Sequence, residues 1–214
     1  MTEPMTMNRL IHAAVRRDLG RLQTALDDFP DGDRERAQGL DRAYENLHGA
    51  LTRHHEGEDA HVFPMLTSFG VDPALIEVME SEHAAMAEAL AGTSTAMGAL
   101  ARSGSAADAA ADRTSVVGTR AVVEQHLDHE ELELEPQLVP HFESPEWKAV
   151  EKKLRSQPPG VAGRLFAWLT DGMTHEGRAY LKKTVPTPVV TVLAKVLGRR
   201  YNREIAPVWR PAAG

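Results

Sequence analysis

The chain has 214 residues, 42% hydrophobic and 26% charged, a globular composition long enough to bury a sizeable core. It has no cysteine, which excludes disulfides, zinc fingers and iron–sulfur ligation, so any metal must be held by histidine, carboxylates or other oxygen ligands. The net charge of −7 is uneven: residues 1–144 carry 26 Asp/Glu against 11 Lys/Arg, residues 145–214 carry 5 against 13, and a boundary is therefore expected near Ser144-Pro145.

The first helix is predicted from about Thr6 to Leu26, where Leu10, Ala14, Val15, Leu19, Leu22 and Leu26 recur at helical spacing, with His12 near the stripe. Phe29-Pro30-Asp31-Gly32-Asp33 reads as a turn. The second helix starts near Asp33 and carries Leu40, Tyr44, Leu47, Leu51, His54 and Glu58 in steps of three or four. Gly57 inside it costs roughly 1 kcal/mol against Ala. Pro64 is expected to end or kink it. Asp72-Pro73 starts a third helix as an N-cap followed by a first-turn proline, and Leu75, Ile76, Met79, His83, Met86, Leu90 and Met97 follow on one face. Ser103-Gly104-Ser105 breaks it. The fourth helix runs from about Ala107 through Val116, Val122, Val123, His126 and Glu130 to near Pro136. Beyond it, Pro145 to Arg155 reads as a short helix, Pro158-Pro159-Gly160 as a break, and Val161–Leu169 and Pro188–Tyr201 as amphipathic and basic. His175 reads as a surface residue.

Four long helices joined by short connections predict an all-α fold, an antiparallel up-down four-helix bundle over residues 1–144, followed by a basic helical extension over 145–214. The bundle contains an internal repeat. His54, Glu58 and Pro64 recur as His126, Glu130 and Pro136 at a constant offset of 72, and His12 recurs as His83 at 71. The chain therefore reads as two hairpins, each with a lone His on its first helix and a His-x3-Glu on its second.

Residues i and i+4 share a helix face, so each His-x3-Glu offers an imidazole and a carboxylate side by side. Taken alone, a His on an apolar stripe is usually a hydrogen-bonded core residue; the repetition is what favours ligation. The set His12, His54, Glu58, His83, His126 and Glu130 exceeds the four ligands of a tetrahedral zinc and is too rich in nitrogen for calcium or magnesium. It suits two first-row metals, iron or manganese, each with two histidines and bridged by the two carboxylates. Positions stay open for a bridging water, hydroxide or oxo group and for O2, peroxide or nitric oxide. A ferritin-like di-metal site would need Glu-x-x-His on two helices; Glu45/His48, Glu58/His61 and Glu80/His83 have that spacing, but the fourth helix lacks it. His48, His55, His61, His129 and His141 are read as surface or supporting residues, and His55, Glu56, Asp59 and His61 as bystanders to the ligand pair.

On His12, His54-x3-Glu58, His83 and His126-x3-Glu130, residues 6–140 resemble the haemerythrin-like, HHE cation-binding family. The resemblance implies an up-down bundle around a non-haem centre of two iron ions. The chain departs from the oxygen-carrying members at Ala87, where they have a further His, and at Glu130, where they have Asp one residue later. It looks more like branches that sense or detoxify iron, oxygen, peroxide or nitric oxide. The expectations are a di-iron protein that binds or turns over a small oxidant, with peroxidase- or catalase-like activity open. Two alternatives stand: a non-enzymatic sensor acting on a protein partner through the basic extension, and a purely structural module. With no signal-length apolar segment and no 18-residue apolar run, a cytoplasmic location and no membrane are expected. The basic extension could bind nucleic acid or a membrane surface, but its interspersed apolar residues favour packing on its own acidic bundle, so no nucleic-acid partner is expected.

Overall fold

The computed structural model describes residues 5–210; the outer ends of the two predicted units, residues 1–4 and 211–214, lie outside the described residues. Four antiparallel helices form the bundle: α1 (Met7–Asp27), α2 (Arg34–Gly57), α3 (Pro73–Ser103) and α4 (Ala106–His129). Each packs on its two neighbours, and α1 closes the ring against α4. Strands are absent among the described residues.

Helix starts are set by local chemistry. The side chains of Thr6, Asp33, Asp72 and Ser105 accept from the backbone N–H of Arg9, Arg36, Ala74 and Asp108. Each such cap contributes about 1 kcal/mol. Gly104 ends α3 with φ 67°, a left-handed conformation open to glycine at little cost, and its N–H bonds to the Leu100 carbonyl.

The second helix does not end at Pro64. α2 passes through a π-helical turn, Glu58–Val62, and continues as Phe63–Ser68. α4 does the same through Glu130–Leu134 into Glu135–Leu138. In each turn the N–H five residues along closes a wider ring: Phe63 donates to the Glu58 carbonyl and Glu135 to the Glu130 carbonyl. Pro64 and Pro136 have no N–H, and their rings would press on the carbonyl four residues earlier in an α-register. The wider turn absorbs that conflict, so the offset of 72 extends to the backbone itself.

The core runs along the bundle through Val15, Leu19, Leu22, Leu40, Tyr44, Leu47, Leu51, Met86, Leu90, Met97, Val116 and Val123. Tyr44 reaches across it and donates to the Leu90 carbonyl at 2.6 Å. Residues after the bundle join this same core. α5 (Pro145–Arg155), α6 (Pro159–Thr170), α7 (His175–Thr184), α8 (Thr187–Thr191, extended by a π-helical Val192–Leu197) and α9 (Arg199–Glu204) follow in order. Ala167, Trp168, Leu169, Leu181 and Tyr201 belong to the bundle's apolar cluster. The attachment is through apolar burial and the Trp168–Asp18 hydrogen bond, with Arg21–Asp171 as an added ion pair. A second cluster caps the bundle end beside the π-helical turns: Val150 of α5 packs there with Val62, Phe63, Leu66, Met79 and Leu134. Gly57 lies under α5, where a Cβ would meet Leu154 at 2.9 Å. His175 is exposed, as expected, and it opens α7, a helix not anticipated from the sequence.

Candidate metal centre

Each hairpin sends a lone histidine and a His–Glu pair to one buried centre. α1 supplies His12, α2 His54 and Glu58, α3 His83, and α4 His126 and Glu130. His12, Glu58, His83, His126 and Glu130 are all buried, and His54 is nearly so. The helical period accounts for this, since all six continue the apolar faces of their helices.

The six residues meet through their inward atoms. His12 Nε2 lies 3.2 Å from His54 Nε2 and 3.2 Å from Glu130 Oε2. His54 Nε2 lies 3.2 Å from Glu58 Oε1, while the other oxygen, Oε2, is 3.8 Å from His83 Nε2. Glu58 therefore spans two histidine groups, one oxygen toward each. Glu130 Oε2 lies between His12 and His126 Nε2, the latter at 3.8 Å. Asn8 donates to Glu130 Oε1 at 3.0 Å.

Three of the outward nitrogens are occupied. His12 Nδ1 pairs with Glu131 at 2.8 Å, His83 Nδ1 with Asp59 at 2.7 Å, and His126 Nδ1 with Glu82 at 2.9 Å. Glu82 uses its second oxygen on His129, also at 2.9 Å. A carboxylate on Nδ1 fixes that nitrogen as the protonated one and directs a lone pair from Nε2 inward, the usual support of a metal-binding imidazole. Asp59 and Glu131 directly follow the two inward glutamates, and they too are related by the offset of 72. In each π-helical turn the residue after the glutamate reaches a lone histidine of the other hairpin, Glu131 from a largely covered position and Asp59 from a half-exposed one.

Two bystander assignments are thereby corrected. Asp59 holds His83, and His55 lies inside the centre. His55 is 6% exposed, stacks on His83 with ring centroids 4.1 Å apart, and stands edge-on to His126 at 5.3 Å. A wheel of 100° per residue turns His55 away from His54, but α2 widens directly after this point and the bundle end closes around it. His61 is only partly covered, His48 lies against Tyr44, and His141 stacks on Phe69 away from the centre.

The electrostatics are those of a crowded buried site. Burial acts to lower the His12 pKa, but Glu130 and Glu131 outweigh it and raise it to about 9. His54 is lowered to about 3 by burial and by His12 beside it. Burial also lowers His55 and His126, keeping their imidazoles neutral. Glu58 is raised by burial and by Glu130. Glu130 is lowered, because His12, His54 and His126 together outweigh its burial.

Among the described residues, the buried side-chain atoms left without a hydrogen-bond partner include His55 Nε2, Glu58 Oε2, His83 Nε2, His126 Nε2 and Glu130 Oε2. Unpaired buried polar atoms are costly, and here they converge on one point. Three groups have ligand atoms mutually within 4.8 Å: His12, His54 and Glu130; His54, His55 and Glu58; and His55, His83 and His126. This donor set of imidazoles and carboxylates fits first-row metal cations.

A family model described as the hemerythrin HHE cation binding domain matches residues 6–138. No curated protein and no solved structure matches the chain.

Proposed function

Because the chain belongs to the hemerythrin HHE cation-binding family, we propose that His12, His54, Glu58, His83, His126 and Glu130 hold two iron ions that bind or react with O2, peroxide or nitric oxide. The observation that carries this reading is the convergence of unpartnered inward atoms in one buried centre, three of whose histidines are held from outside by carboxylates. His12 and His54 form one side, His83 and His126 the other, and Glu58 reaches both with separate oxygens. Bound iron would supply open coordination positions and electrons for a small oxidant. The protein's own part is orientation and exclusion of water. Glu131, Asp59 and Glu82 orient the rings, while Leu51, Met79, Met86 and Val123, all fully buried, lie near one turn from the histidines. Metal analysis with visible and Mössbauer spectroscopy, before and after peroxide or nitric oxide, tests the reading. Purified protein without iron, and without oxidant-dependent absorption after reconstitution, would overturn it.

A sensing role is favoured by one feature: α1 carries both His12 and the Asp18 that receives Trp168. Metal loss at His12 then has a covalent route to the extension. If chelation leaves the protease sensitivity of residues 145–210 unchanged, that role fails. No helix among the described residues is long and apolar enough to cross a membrane.

A further inference from the structure

The two halves of the centre are not equivalent. At the offset of 72, most of the inward and supporting residues have a counterpart of the same kind: His54 and His126, Glu58 and Glu130, Asp59 and Glu131. His55 does not. Its counterpart is Leu127, a fully buried apolar residue of the main core. The first hairpin therefore contributes an imidazole that the second replaces with hydrocarbon.

That imidazole is neither on the surface nor satisfied. His55 is 6% exposed, and its Nε2 is buried without a hydrogen-bond partner. An apolar residue would fill the same space without that cost. The ring is held in place: it stacks on His83 with an interplanar angle of 19°, and Phe63 stacks on His83 as well, at 5.3 Å and 21°. His126 meets it edge-on. His55, His83 and His126 can each present one nitrogen, all three within 4.8 Å of one another, and the inward nitrogens of His83 and His126 are themselves unpartnered.

Resting on the di-iron reading above, we propose that His55 is a seventh protein ligand, a third imidazole for the metal held by His83 and His126. One metal then has His12 and His54, the other His55, His83 and His126, with Glu58 and Glu130 shared.

The full chain reconstituted with iron-57(II) distinguishes the outcomes. The expected wild type binds two ions and gives two Mössbauer quadrupole doublets of equal area. His55→Phe keeps an aromatic ring in the stack but has no donor. It should weaken the second ion by about 10- to 100-fold in competition with a chromophoric chelator and alter one doublet, leaving the other in place. His55→Gly, which opens a ring-sized space, should regain the second ion and the wild-type doublet on addition of free imidazole. Two ions in His55→Phe with wild-type affinity and unchanged doublets would overturn the proposal and leave the di-iron reading standing. Wild-type chain that binds no iron would overturn both. Should His55→Phe misfold by circular dichroism, the glycine variant decides: an imidazole-independent second ion sinks the proposal, and imidazole-dependent recovery supports it.

Discussion

Trp168 donates its indole N–H to Asp18 Oδ2 at 2.8 Å, across 150 residues of sequence, with both side chains buried. Asp18 Oδ1 accepts from Arg17 and Arg21, so the carboxylate is satisfied only with the extension in place. Trp168→Ala should lower the unfolding free energy of the full chain by about 3–5 kcal/mol, the range for a buried aromatic. Trp168→Phe keeps most of the apolar burial and removes one donor, and should cost about 1–3 kcal/mol. Urea unfolding checks both.

Asp59 tests the orienting carboxylates most cleanly, because its own side chain is half exposed while its partner, His83, is buried. Asp59→Asn should leave the melting temperature of the metal-free protein nearly unchanged and weaken metal binding by about 10- to 100-fold. Calorimetric titration with iron(II) under anaerobic conditions reads the difference. Equal affinities would reduce Asp59 to a surface acceptor.

Metal should be part of the folding free energy. The metal-free centre holds Glu58 and Glu130 together in a buried space, an arrangement a cation relieves. The melting temperature should rise with free iron(II), equivalent to about 2.7 kcal/mol at a hundred times the dissociation constant. Glu58→Gln should lose this metal-dependent rise without lowering the metal-free melting temperature. Scanning fluorimetry across a metal series separates the two effects.

Asp112 predicts a pH dependence remote from the centre. It is fully buried on α4 and neither oxygen has a hydrogen-bond partner. Burial, then Asp108 and Asp41, push its carboxyl from 3.8 up to about 7. A folded-state pKa raised in this way gives stability that is full below about pH 3.8 and is lost as pH rises through about 7. Asp112→Asn, which cannot ionise, should be more stable than the wild type by about 1–3 kcal/mol at pH 8, with the gap closing toward pH 4. Melting curves at several pH values decide it, and a gap independent of pH would refute the assignment.

Much of the bundle was legible because its signals are local. Asp72-Pro73, Ser103-Gly104 and Ser144-Pro145 mark helix ends through caps that the next few residues complete. His12, His54, Glu58, His83, His126 and Glu130 came from period and repetition together, and all six converge. Asp59 escaped because a uniform 100° wheel does not hold in the π-helical turn that contains it, and His55 because it sits one residue off the His54 face and is enclosed only by the packing of the bundle end. The signal for Asp59 was present: Asp59 and Glu131 obey the same offset as the glutamates before them. No such signal exists for Trp168, since docking across 150 residues leaves no trace in local periodicity.

The supporting carboxylates are exchanged between hairpins. Glu131 of the second hairpin holds His12 of the first, and Asp59 of the first holds His83 of the second. Neither hairpin by itself orients its own lone histidine. The pattern is that of an isologous interface, in which the same patch serves both partners and each contact is made twice. A single hairpin of this kind meeting its own copy would make both orienting contacts, and duplication with fusion would preserve them. A covalent join leaves the two halves free to differ, as His55 against Leu127 and Glu82 against Leu10, both at the offset of 72, do around the site.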